Sequence, residues 1–278
     1  MEWNGIFALI YGALGGLIEF LPVSPEVHQE LMLKLCGLTL PQGNLPLAAH
    51  IGALLAAVFA YHRKLSKLIT EKKIASLSMR QRKRQPDTVS LTELRLLKTA
   101  AMPMVISCVL WAFLQQYFAR FWVLIILVIL NGIVVLLPQH MTRANKDARA
   151  TSPLDALLVG LSGVVGALPG FSRMGILASV GTMRGLGRQF CLDFIYLLAI
   201  PWLITLGLID IGTMLFVGGA AFTGATFFQG VLACAAAFGA GLGGIQLMRF
   251  IVVKNDLGGF AYYNWGLAMF AFVVYLIG

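Results

Sequence analysis

Apolar stretches, each about long enough to cross a lipid bilayer as a helix, dominate this sequence of 278 residues. A helix needs about 20 mostly apolar residues to span the hydrocarbon core. The chain is 59% hydrophobic and only 12% charged, so we expect an all-α polytopic membrane protein. The uninterrupted spans are predicted at Leu47–Tyr61, Thr99–Tyr117, Phe121–Leu137, Phe190–Ile209, Ala225–Met248 and Phe260–Ile277.

Two further apolar segments are each broken by a proline with polar residues beside it. The segments are Trp3–Gly37 and Leu154–Met183. Their polar breaks, Glu19–His28 and Ala167–Gly175, hold Pro22 and Pro169 at equivalent places. Polar and charged groups at membrane depth are costly, so each break is a functional-site hypothesis. One break in each half of the chain predicts a site where two repeats meet near the bilayer midplane.

The basic residues decide how these segments cross the membrane. Of 21 Lys and Arg, 11 lie between Arg63 and Lys98, and smaller clusters lie at 143–149, 184–188 and 249–254. If both interrupted segments enter and return on one side, all four clusters share the cytoplasmic face, as the positive-inside rule requires. We therefore predict six transmembrane helices plus two re-entrant helical hairpins. This placement explains the net charge of +9 without a nucleic-acid partner.

The predicted layout repeats with inverted topology. Repeat one covers residues 1–138 and repeat two covers 154–278, each with one re-entrant hairpin followed by three spans. The first hairpin enters from outside and the second from the cytoplasm. A basic cytoplasmic loop is predicted at 62–98, with its middle either amphipathic helix or disordered. His50, Asp193 and Asn131 are isolated polar residues in spans, which we expect to hydrogen-bond between helices.

The second break predicts an anion-binding site. Arg173 follows Gly170 and Ser172 in a bend that leads into a short helix. A helix N-terminus offers free N–H groups and the positive end of a dipole, which bind phosphate. The arginine adds a bidentate fork for phosphate oxygens. The alternative is a structural arginine that is paired with a buried acid.

The first break brings ionisable side chains close to a bend. Glu19 could bind a divalent metal, act as an acid–base, or form a structural ion pair with Arg173. His28 could act as a nucleophile, general base or metal ligand. Glu26 is either a first-turn helix charge or a site carboxylate. Ser24, like Ser172, either caps the following half-helix or binds a phosphate.

These residues resemble the motifs of the undecaprenyl-diphosphate phosphatase family, the bacitracin-resistance membrane phosphatases. The first family motif, Glu-x-x-x-Glu-Phe-Leu-Pro-Val-Ser-Ser-x-x-His, matches here from Glu19 to Ser24 and again at His28. The second, Pro-Gly-x-Ser-Arg-Ser-Gly, matches over Pro169–Gly175 except at one serine. The segment Gly185–Pro201 is also similar to the family. The resemblance covers nearly the whole chain.

The resemblance implies the same fold and removal of the terminal phosphate from a polyprenyl diphosphate. It implies a bacterial inner-membrane protein with its site facing the periplasm or exterior, and a divalent cation, Mg or Ca. Catalysis would fall to His28, Glu19 and Arg173. The substrate would be bound by Arg173 with Ser24, Ser172, Gly170 and Glu26. The metal would be held by Glu19 and Glu26.

Three positions depart from the family motifs. Gly15 stands at the first motif glutamate, Pro25 at the second motif serine, and Met174 at the serine after the arginine. A proline supplies neither a hydroxyl nor an N–H donor. A second hypothesis is therefore a catalytically impaired homologue that binds or transports a lipid phosphate. The sequence leaves open whether the chain forms a homo-oligomer.

Overall fold

The structure, a computed structural model, describes residues 3–39, 44–118, 120–140, 144–218, 223–254 and 257–277. All regular secondary-structure elements in this part of the chain are helices, which confirms the predicted all-α class. The helices are α1 (Gly5–Glu19), α2 (Pro25–Cys36), α3 (Leu45–Ser76), α4 (Thr88–Phe118), α5 (Phe121–Leu136), α6 (Pro153–Gly166), α7 (Arg173–Met183), α8 (Arg188–Thr213), α9 (Gly224–Lys254) and α10 (Gly258–Ile277). A 3₁₀ turn follows α5 and a π turn follows α8.

Five helical segments are long and apolar enough to cross a membrane. They are Leu45–Ser76, Phe121–Gln139, Arg188–Phe216, Gly224–Ile251 and Gly258–Ile277. Each contains one of the predicted spans, so the multi-pass membrane class is confirmed by length and composition. The remaining predicted span, 99–117, lies within α4, a helix of 31 residues with Pro103 inside it. Its crossing of the membrane stays a prediction.

The two interrupted segments fold as helix, bend and helix. Polar caps fix where their helices begin: Asn4 caps α1, and Ser152 and Asp155 form a capping box at α6. Ser24 and Ser172 cap α2 and α7 with their hydroxyls, as one interpretation of the sequence predicted. Each cap satisfies an N–H that the first helical turn leaves without a backbone partner.

The basic loop is shorter than the predicted 62–98. Helix α3 continues to Ser76 and α4 begins at Thr88, so the connection covers only 77–87. Ion pairs hold the helix extensions together: Lys67 Nζ lies 2.9 Å from Asp87 Oδ2, and Arg84 pairs with Glu71. Hydrogen bonds from Lys67 and Ser90 keep the pKa of Asp87 well below its usual range. These charges prolong both helices beyond the apolar spans that hydropathy detects.

Small residues let the short helices approach the long ones closely. Helix α1 packs on α9, where a Cβ on Gly12 would lie 2.1 Å from the Ala233 carbonyl oxygen. Helix α6 packs on α4, where a Cβ on Gly160 would lie 2.4 Å from the Ala100 carbonyl oxygen. Close backbone approach through small residues is a common basis of helix packing in membranes. The paired helices hold both bends in the protein interior.

Candidate active site

The two bends meet and are joined by buried hydrogen bonds. The Ser172 hydroxyl donates to the Leu21 carbonyl at 2.8 Å, and the Ser172 backbone N–H donates to Asn131 Oδ1 at 2.9 Å. Asn264 Nδ2 donates to the Pro22 carbonyl at 3.0 Å, and Asn131 Nδ2 donates to Asn264 Oδ1 at 3.0 Å. Buried polar groups require such partners. The network therefore fixes the first bend against the second.

The second bend depends on Gly170. Its φ of +97° lies in the region that glycine tolerates and other residues rarely adopt. A Cβ there would lie only 2.7 Å from Leu127 Cβ. The turn delivers Ser172 to the start of α7, where its hydroxyl accepts from the Gly175 N–H at 3.1 Å. Arg173 thereby becomes the first residue of a buried helix.

The Arg173 guanidinium is buried and contacts side chains from two other helices. It forms an ion pair with Glu19, which ends α1, and its Cζ lies 3.8 Å from the ring centroid of Trp202 in α8. Its Nε is buried and, within the described part of the chain, has no hydrogen-bond partner. The predicted structural ion pair with Glu19 is thus present. One guanidinium donor therefore has no partner among the described residues.

Glu26 reaches from the first bend to the second. It lies in the first turn of α2, and its Oε2 accepts from the Ser24 hydroxyl at 3.2 Å. The same oxygen lies 3.5 Å from the backbone nitrogen of Gly170, a long hydrogen bond across 144 residues of sequence. Both donors could serve a phosphate oxygen equally well. Glu26 is therefore more than a first-turn charge, because its carboxylate lies in the space between the bends.

His28 is held in one defined tautomer. Its Nδ1 lies 2.6 Å from the Ser24 carbonyl oxygen, and its Nε2 lies 2.8 Å from the Tyr263 hydroxyl. A carbonyl can only accept, so Nδ1 carries the proton and Nε2 of the neutral ring carries the lone pair. The ring is half-buried on the first turn after the bend. Its Nε2 therefore has the electron pair that a base or nucleophile needs.

The acidic side chains at the bends could hold a cation only together with other ligands. Within the described residues, no group of three or more His, Cys, Asp and Glu side chains could hold a metal ion. Glu19 and Glu26 are the acidic side chains at the bends. Mg²⁺ commonly uses one or two carboxylates together with substrate phosphates and water. A diphosphate would complete such a ligand set.

The chain is similar to known proteins over nearly its whole length. The family profile described as bacitracin resistance protein BacA matches residues 8–270. The chain belongs to the BacA family. Similar proteins include an undecaprenyl-diphosphatase of Rubrobacter xylanophilus, 29% identical over 264 residues and 94% of each chain, and one of Carboxydothermus hydrogenoformans, 26% identical over 279 residues and 99% of each chain. An undecaprenyl-diphosphatase 1 of Stutzerimonas stutzeri is 31% identical over 210 residues, 73% of this chain and 70% of that protein.

The three departures from the BacA-type motifs have different surroundings. A Cβ on Gly15 would meet only Ala49 Cβ at 3.7 Å and Gln29 Nε2 at 3.9 Å, so the structure has room for a side chain to begin there. Pro25 is the first residue of α2, where no N–H is needed for the helix. Met174 is fully buried. The departures therefore change the chemistry of the site without disturbing the bends.

The structure of this BacA member confirms some interhelical polar contacts that the sequence predicted and shows others that it did not. As predicted, His50 pairs with Asp210 at 2.6 Å, the Tyr61 hydroxyl donates to Asp193 at 3.0 Å, and Asn131 bonds to α10. Trp202, Tyr263 and Asn264 were not predicted, although they contact Arg173, His28 and Pro22 respectively. Asn264 had a detectable signal, because it is a lone amide within an apolar span. Trp202 and Tyr263 had no comparable signal, because the sequence contains many other aromatic residues.

Proposed function

We propose that this protein is a hydrolase that removes the terminal phosphate from a polyprenyl diphosphate, undecaprenyl diphosphate in the first instance. The observation that carries the proposal is the buried Arg173 at the start of α7, which pairs with Glu19 and whose Nε has no hydrogen-bond partner among the described residues. Membership in the BacA family supports the same activity. The reaction recycles the lipid carrier for peptidoglycan synthesis, and it fits a role in bacitracin resistance.

Arg173 and the bend before it bind the diphosphate. The guanidinium offers a charge-assisted donor, and the backbone N–H of Gly170 and the hydroxyl of Ser24 are donors that Glu26 now engages. Ser172 holds the bend in shape by capping α7. Such fixed donors stabilise the charge that develops on the phosphoryl oxygens during transfer. Substrate binding must therefore shift the Glu26 carboxylate from these donors.

His28 supplies the reactive electron pair, in one of two ways. As a general base, Nε2 takes a proton from water while the water oxygen bonds to the terminal phosphorus and the bond to the bridging oxygen breaks. As a nucleophile, Nε2 bonds to that phosphorus while the bond to the bridging oxygen breaks and the polyprenyl monophosphate leaves, and water then breaks the N–P bond and releases the phosphate. Both courses yield polyprenyl monophosphate and inorganic phosphate. Both use the Nδ1–H tautomer that Ser24 favours.

A divalent cation, Mg or Ca, belongs to this proposal. Glu19 and Glu26 would hold it, together with oxygens of the diphosphate. When bound, the cation would neutralise phosphate charge and polarise the terminal phosphoryl group. Glu26 would then supply a carboxylate to a site that lacks one at Gly15. Phosphate release that is unchanged by a chelator would contradict this part of the proposal.

The rival hypothesis, a lipid-phosphate binder or transporter without hydrolysis, rests on the departures at Gly15, Pro25 and Met174. Family membership favours hydrolysis over it. The decisive measurement is release of inorganic phosphate from undecaprenyl or farnesyl diphosphate by the purified protein in detergent. We expect release in the parent and at least a tenfold loss in Glu26→Gln, since a catalytic acid–base or metal-holding group contributes about this much or more. Binding of the lipid without phosphate release would support the rival.

We also propose the finer topology of six spans and two re-entrant hairpins in an inverted repeat, in the bacterial inner membrane with the site open to the periplasm. Its support is the pair of short helices in each half and the distribution of basic residues. Cysteine labels at Arg82, Lys146 and Arg249 should react only from the cytoplasm, and a label at Thr213 only from outside. Any of the first three reacting from outside would refute this topology. Cross-linking in the membrane would test for a homo-oligomer.

A further inference from the structure

Tyr263 of α10 lies directly against the reactive side of His28. The two rings stack with centroids 5.8 Å apart and planes 7° from parallel, and the tyrosine hydroxyl lies 2.8 Å from His28 Nε2. We propose that Tyr263 is a positioning residue for His28, which holds the imidazole in its reactive orientation and tautomer. This inference rests on the proposed function, in which Nε2 of His28 reacts.

The hydrogen-bond directions follow from the partner on the other side of the ring. The Ser24 carbonyl accepts from Nδ1 at 2.6 Å, so Nε2 has no proton to give in the neutral ring. The Tyr263 hydroxyl must therefore be the donor and Nε2 the acceptor. The two contacts act together, since the Ser24 carbonyl sets the tautomer and the Tyr263 hydroxyl fixes the direction of Nε2. Tyr263 thus occupies the electron pair that the reaction uses.

A buried anchor sets the position of Tyr263. Its neighbour Asn264 is fully buried and donates to the Pro22 carbonyl at 3.0 Å. His28 lies on the first turn of α2, just beyond the same bend. Both side chains are therefore positioned relative to the same bend. Helix α10 cannot shift along its axis without breaking the hydrogen bond from Asn264 to Pro22. This connection gives the contact between Tyr263 and His28 a defined distance.

Tyr263 is able to give up its contact when substrate arrives. Tyr263 is half-exposed, with 51% of its surface accessible, whereas the neighbouring Asn264 is fully buried. Exposed side chains change rotamer rapidly, within picoseconds to nanoseconds. The hydroxyl can then leave Nε2 while Ser24 keeps the ring in its tautomer. The arrangement holds the imidazole ready in the resting protein and frees its electron pair for a phosphoryl group or water.

The first test compares two adjacent tyrosines by phosphate release. Tyr263→Phe keeps the stacked ring and removes the hydroxyl, whereas Tyr262→Phe removes a hydroxyl from an exposed ring that packs on Trp265. We expect Tyr263→Phe to lower kcat about fivefold with KM changed by less than about twofold, because the loss of a net hydrogen bond of about 1 kcal/mol lets the ring leave its reactive orientation. Tyr262→Phe should equal the parent. A kcat for Tyr263→Phe equal to that of the parent would overturn the proposal.

A second readout does not depend on hydrolysis. Diethyl pyrocarbonate modifies unprotonated imidazole nitrogens, and the portion of the reaction that disappears in His28→Gln reports on His28. Tyr263→Phe should raise this portion of the rate several-fold, because Nε2 loses its partner, and Tyr262→Phe should not. Equal rates in Tyr263→Phe and the parent would overturn the proposal. A parent protein that releases no phosphate would contradict the proposed function instead, and the modification rates would still decide whether Tyr263 holds His28.

Discussion

The two bends share one plan but differ in burial and chemistry. In each, a proline lies in the bend three residues after a short helix ends, and a serine caps the next helix, Ser24 before α2 and Ser172 before α7. After the second bend, Arg173 is buried together with most of its helix. After the first bend, Glu26 and His28 are half-buried. The same backbone arrangement thus places a buried cation after the second bend and half-exposed acid–base groups after the first.

The difference suggests a division of labour between the halves. A buried, fixed cation suits recognition of a diphosphate, because its donors need no reorganisation when the ligand binds. Half-exposed groups suit proton and phosphoryl transfer, because they must meet water and change partners. The three predictions that follow test this division. They run from the largest expected effect to the smallest.

Arg173→Lys should weaken diphosphate binding the most. Lysine keeps the charge but loses the planar fork and the stacking on Trp202. The expected loss is about 1–3 kcal/mol in binding free energy, measured by titration of the detergent-solubilised protein with a polyprenyl diphosphate. Arg80→Lys, in the exposed connection after α3, is the matched control and should bind as the parent does. Equal affinity in Arg173→Lys and the parent would show that the second bend does not recognise the diphosphate.

Gly170→Ala should destabilise the protein more than Gly37→Ala. Both glycines have positive φ, +97° and +59°, so alanine strains the backbone at either position. Only at Gly170 would the new Cβ also collide with a neighbour, Leu127 Cβ at 2.7 Å, whereas nothing lies within 4 Å at Gly37. The expected cost at Gly170 exceeds the cost at Gly37 by about 1 kcal/mol. Thermal unfolding in detergent measures it, and equal melting temperatures would show that the second bend is not rigid.

Gly15→Glu combined with Pro25→Ser should raise turnover by about two- to fivefold, the smallest effect of the three. The pair restores a carboxylate and a hydroxyl to the first bend, and groups that act in one site contribute as a unit. The space at Gly15 accepts the start of a side chain. Phosphate release at saturating lipid and divalent cation is the measurement. If the parent turns over at least as fast as the double variant, Glu26 already supplies the missing carboxylate.

The amino-acid sequence predicted the helical membrane class and both bends because length, hydropathy and proline placement encode them locally. The capping roles of Ser24 and Ser172 were likewise accessible, since a cap needs only its own helix. The contacts of Trp202 and Tyr263 were not. Which face of a long apolar helix meets the bends depends on how all the helices pack, and a nearly uniform apolar pattern does not specify that face.

The hydrogen bonds between the bends also bear on how the chain is made. Glu19 and the carbonyls of Leu21 and Pro22 belong to the half that is synthesised first, whereas their partners Arg173, Ser172 and Asn264 emerge later. Until then the nascent protein holds a carboxylate and bare carbonyls for which lipid offers no substitute. These contacts can therefore form only after the second half of the chain has been synthesised. A chain that stalls before Ser172 has none of these three partners for the first bend.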